Sequence, residues 1–284
     1  MLSKVLKYEM KSSGRMLFPA FVLSLLLAAF ARFMMFIAPR IWEPAGQLLI
    51  SLASSLGILL LVGIVAFAFV FILIRFGQGM SSNEAYLSFT LPVSIDTHII
   101  GRLISGTIFT FLSVITAILC GMIFIPDFIS QFADMFDTVT AGTSLQLSAI
   151  PADIWVSGIG LILLFTITTI VFNILTVYAS LGIGTRLTRS NILGGIAGYF
   201  ILNSIESVLS LIFMLPLMGV FGSSNDDIIL YFESLATDNM FDTLRNILDM
   251  MWIFIGVITL INIIFAVVHY FLTRYFYGKK LNLE

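Results

Sequence analysis

Few side chains in this sequence could do chemistry, and their spacing excludes most of it. The lysines stand at 4, 7, 11, 279 and 280, and none belongs to a G-x-x-x-x-G-K-[ST] loop of the kind that cradles nucleotide phosphates. Histidine occurs only at His98 and His269, and no pair of His or Cys has the spacing of a metal site. A hydrolase of the Ser-His-acid type needs a histidine beside a serine and an acid. His269 stands near the end of the last apolar stretch and reads as an interfacial residue. Neither a catalytic group nor a metal ligand is expected, so this is not read as an enzyme. The single cysteine, Cys120, lies inside an apolar run and leaves no intrachain disulfide to form.

Two ionisable residues lie where they are costly. Arg32 falls about 22 Å into the first apolar stretch and Glu206 about 21 Å into the fifth, at 1.5 Å of helix rise per residue. A charge at such depth costs about 2.5–3.5 kcal/mol on insertion scales. Pairing relieves that cost, so Arg32 and Glu206 are expected to line or lock a polar path, within one chain or between two. Asn203 shares a helical face with Glu206 and adds a hydrogen-bonding group. The alternative is that Arg32 reaches the outer headgroups while Glu206 is structural.

The elements that must hold these residues follow from composition. Of 284 residues, 59% are hydrophobic and 11% charged, against about 25% charged in a soluble domain. Mean hydropathy is +1.08. A water-soluble enzyme is excluded, and no loop is long enough to bury a catalytic core of its own. Apolar stretches at 17–38, 48–74, 103–125, 154–181, 192–221 and 250–273 each reach the roughly 20 residues that cross a bilayer. They lack strand-like alternation, and helices satisfy their own backbone in lipid. The expected fold is an all-α membrane protein with six transmembrane helices.

Orientation comes from the basic residues. Lys4, Lys7, Lys11, Arg15, Arg75, Arg102, Arg186, Arg189, Arg274, Lys279 and Lys280 fall on one side of a six-span chain, and only Arg40 and Arg245 on the other. That other side carries Glu43, Asp127, Asp134, Asp137, Asp153, Asp226, Asp227, Glu233, Asp238, Asp242 and Asp249. Cytoplasmic N- and C-termini are predicted. Ala29-Phe30-Ala31 mimics a signal-peptide cleavage site, but the apolar run continues through Ala38, too long for a signal.

Residues 1–16 read as a cytoplasmic amphipathic helix, with Leu2, Val5, Leu6 and Met10 on one face and Lys4, Lys7 and Lys11 on another, or equally as a basic flank that only sets topology, leading into a six-span domain over 17–284. The longest cytoplasmic connection, 75–102, holds a short helix starting near Glu84 and stopped by Pro92. Its Tyr86, Leu87 and Phe89 place apolar surface on the water side, to fold back on the chain's own spans or, the favoured reading, to meet a partner. Gly194 and Gly198 open the fifth span at a spacing that lets helix backbones approach, inside one chain or between two.

With these parts in view, the sequence resembles the membrane subunits of type-2 ATP-binding-cassette (ABC) transporters, the bacterial permeases without a fused ATPase. The resemblance spans essentially the whole chain. It is most specific in the N-terminal LSKVLKYEMKSSGR and in the string E-A-Y-L-x-F-T-L-P-V-S. Ile95 and Arg102 depart from the basic residue and the lysine usual there. The resemblance implies a type-2 ABC exporter fold in the bacterial plasma membrane. It maps a coupling helix, the contact to cytosolic ATPase subunits, onto Glu84, Tyr86, Leu87, Thr90 and Pro92. It also implies a second permease subunit, identical or related, a path between the second and fifth spans, and no cofactor on this chain, ATP and Mg being bound by the partner. The competing expectations are an ion-coupled transporter or channel, and less favoured an intramembrane enzyme.

Overall fold

The computed structural model describes residues 2–81, 94–125, 151–187, 191–220 and 240–278. Among these the secondary structure is helical, with no strand. Six helices are long and apolar enough to cross a membrane: α1 (Leu2–Ile37), α2 (Glu43–Ser81), α3 (Ile95–Phe124), α4 (Ala152–Leu187), α5 (Asn191–Val220) and α6 (Met240–Gly278). The chain is a multi-pass membrane protein by this measure. The helices overrun the apolar stretches that predict them. α2 and α6 are each 39 residues long, about 58 Å at 1.5 Å per residue, whereas a hydrocarbon core is about 30 Å thick. The basic N-terminal stretch and the first span form one unbroken helix, with Pro19 inside it.

The chain divides into two compact units, Met1–Asp134 and Met135–Glu284. In the first, α1, α2 and α3 pack mutually. Leu17, Phe21, Ile64, Ala68, Ile72 and Phe109 form its core, with Phe18 edge-on to Phe109 at 5.8 Å. α1 and α3 run parallel: Val5 lies against Gly101, Glu9 bonds Arg102, and Ser24 meets Cys120. α2 runs antiparallel to both, with Gly57 under the Phe124 ring and Gly79 under the Arg102 guanidinium. Pro39 sets the 3-10 turn Ala38–Arg40 between α1 and α2. α3 starts where the sequence places a break: Ser94 caps it, its hydroxyl accepting from the Thr97 amide, two residues after Pro92.

In the second unit α4 is central, and α5 and α6 each pack along it. α6 runs parallel to α4, joined by Arg245–Asp153, Trp252–Ser157, Asn262–Thr169 and His269–Thr176. α5 runs back antiparallel on glycines. A Cβ on Gly184 would strike the backbone of Gly194 and Gly195, and one on Gly198 would stand 2.7 Å from the Ser180 carbonyl oxygen. The Gly194–Gly198 face therefore serves packing inside the chain.

Candidate functional site

The second unit contains a buried polar chain that crosses all three of its helices. Glu206 on α5 is 7% exposed and His269 on α6 is 2% exposed. His269 Nε2 stands 2.9 Å from Glu206 Oε1. The approach is short but off the line of an in-plane Nε2–H, so Oε1 has no well-aligned ring donor. On the other side of the ring, Nδ1 lies 3.2 Å from Thr176 Oγ1 on α4. Phe172 and Phe265 stack on the imidazole, with centroids at 5.9 and 6.4 Å. These rings shield the imidazole from water.

The local sequence explains the placement. Thr176 and Phe172 are four residues apart and so share one face of α4, as Phe265 and His269 do on α6. Gly198 seats α5 directly on α4, and Glu206 follows it two turns later on the same face. The sequence reads His269 as an interfacial residue; the structure buries it against its neighbours, with α6 running on about 14 Å past it to Gly278 at 1.5 Å per residue.

The remaining site residues fall in different places. Arg32 is half-buried on α1, in the first unit, whereas Glu206 belongs to the second and has His269 as its close partner. Asn203 is exposed on α5, beside exposed Ser204 and Ser207. Gly194 and Gly198 are buried against α4. Glu84, Tyr86, Leu87, Thr90 and Pro92 lie outside the described residues.

A second polar cluster braces the roots of that connection. Glu9 on α1 accepts from Arg102 Nε at 3.1 Å and stands 3.5 Å from Arg75 Nε. Arg75 is in the last two turns of α2 and Arg102 in the first two of α3, so one carboxylate ties both ends of the 82–93 connection to the N-terminal helix. Arg102 is the more buried, at 8% exposure, and Gly79 leaves the space its guanidinium fills. In the sequence Arg75 and Arg102 read as topogenic charges, and Glu9 is not marked as their partner. The available signal was an acid set among Lys4, Lys7, Lys11 and Arg15.

Among the described residues no group of three or more His, Cys, Asp or Glu could hold a metal ion. No family model, curated protein or solved structure matches the chain.

Proposed function

We propose that this chain is the membrane-spanning permease subunit of an ABC exporter in the bacterial plasma membrane, with ATP hydrolysis on a separate chain. The observation that carries the reading is the E-A-Y-L-x-F-T-L-P-V-S string in the connection between α2 and α3. Both roots of that connection are tied to α1 by Glu9, so a force applied there reaches three helices at once. Glu84, Tyr86, Leu87, Thr90 and Pro92 supply the contact to the ATPase in this reading. Two six-helix subunits, identical or related, enclose the path. The exposed Asn203, Ser204 and Ser207 on α5, and Ser51 and Ser55 on α2, give the second and fifth spans polar faces suited to line it. ATP binding by the partner then favours one packing of the bundle over another, and cargo leaves outward.

The test is co-purification. The wild-type chain is expected to retain a cytosolic ATPase subunit, and a Tyr86→Asp, Leu87→Asp variant to lose it. Transport by the purified chain alone without nucleotide excludes the reading. Ion-coupled transport stands as the second reading because Glu206 has a buried, protonatable partner inside the membrane-spanning unit.

A further inference from the structure

The contacts of His269 specify how many protons the Glu206 pair holds. Thr176 Oγ1 carries one hydrogen and lies 3.0 Å from the Phe172 carbonyl oxygen, the back-bond that a helical threonine makes one turn toward its N-terminus. With that hydrogen committed, Oγ1 accepts from His269 Nδ1, which must therefore be protonated. The other nitrogen, Nε2, faces Glu206 Oε1. A bare lone pair against a carboxylate would repel and leave a net negative charge in a site where both side chains are buried. Two protons in the gap would set an acid O–H against an imidazolium N–H and leave a net positive charge. A single proton carried by the pair, on Oε1 or on Nε2, leaves it neutral and attractive although the approach is off the Nε2–H line.

We propose that Glu206 and His269 form a binding site for one proton, which latches α5 to α6, and that Thr176 is the positioning residue that keeps the imidazole in its Nδ1–H form. The latch has mechanical consequence because α5 and α6 pack along α4 rather than on each other. Glycine contacts seat α5 on α4, and the Glu206–His269 contact reaches across to α6. With one proton in the pair that contact is attractive, and it joins α5 to α6. The groups facing the imidazole are Thr176 and Phe172 from α4, Glu206 from α5 and Phe265 from α6 itself. Other titratable groups on the same stretches are Tyr178 and Arg186 on α4, Tyr199 on α5, and Tyr270, Arg274, Tyr275 and Tyr277 on α6. Tyr178 and Tyr277 are buried, Arg274 is exposed, and Arg186 lies over the Phe276 ring. The proposal stands on contacts within the second unit and does not depend on the permease reading.

Nitrogen NMR on the full chain in lipid nanodiscs, labelled with 15N-histidine, reads the proton positions directly. The signals of His98 and His269 are told apart by loss of one set in either His98→Gln or His269→Gln. The expected wild-type result at neutral pH is an Nδ1-protonated His269 ring. E206Q is expected to keep that form, because the glutamine amide donates to Nε2 in place of the shared proton. T176S keeps it too, whereas T176V loses the preference for Nδ1. In detergent, E206Q is expected to melt within a few degrees of wild type and E206L well below it. A wild-type ring protonated at Nε2 alone overturns the proton assignment, whichever variants fold. Equal melting losses in E206Q and E206L overturn the latch.

Discussion

Glu9 receives two arginines, and one of them, Arg102, is almost wholly buried. Removing the carboxylate leaves a guanidinium without its counter-charge in a site that water barely reaches, which is costlier than losing the bond itself. Glu9→Gln is therefore expected to destabilise the first unit by about 1–3 kcal/mol, read as a lower melting temperature in detergent. The double variant Glu9→Gln, Arg102→Met is expected to recover most of the loss, because an apolar side chain fills the same space without a stranded charge. If the double variant is no more stable than the single one, the cluster is not what braces these helix ends. At this scale the sequence was half legible. Glu206 stood out because a carboxyl about 21 Å into an apolar run needs a partner. Its partner did not stand out. His269 lies near the end of the apolar run at 250–273, and a position along a run does not say which neighbour a side chain meets. Arg32 was the visible opposite charge, whereas a histidine that can be neutral gives no such signal in a sequence.

α5 sits so close to α4 that glycine hydrogens fill the gap, with Gly184, Gly194, Gly195 and Gly198 at the contact. Gly184→Ala is expected to destabilise the second unit by about 1–3 kcal/mol, because its methyl group meets backbone that cannot rotate away. Gly63→Ala on α2 is the control: its Cβ meets nothing nearby, and a helix-favouring alanine there is expected to change stability by no more than about 1 kcal/mol. Denaturant or thermal unfolding in matched micelles measures both, and equal losses would remove the close-packing account. The six spans were legible because a bilayer demands a run of apolar residues of fixed length, and all six apolar stretches lie within or closely overlap helices α1–α6. Helix lengths were not legible. Hydropathy marks only the part that lipid would touch, and the polar ends, such as Met240–Asp249 before the last apolar run, are helical without being apolar. Whether the glycine face packed inside the chain or against another copy was also open, since spacing alone is the same in both cases.

For the whole molecule, the distribution of basic residues argues for both termini in the cytoplasm. In a Cys120→Ser background, a membrane-impermeant thiol reagent applied to intact cells is expected to label Ser144→Cys and to reach Ser88→Cys only after permeabilisation. The reverse pattern would place the α2–α3 connection outside and end the permease reading. That reading rests on a chain with no nucleotide loop of its own and a tyrosine-bearing string in the connection braced by Glu9. Its most direct test is affinity purification of the full chain from its native membrane, followed by nucleotide hydrolysis and identification of bound proteins. The account predicts a cytosolic ATPase that comes with the wild-type chain and is lost from the Tyr86→Asp, Leu87→Asp variant, taking the hydrolytic activity with it. An ATPase retained by that variant, or nucleotide turnover by the isolated chain, would contradict it.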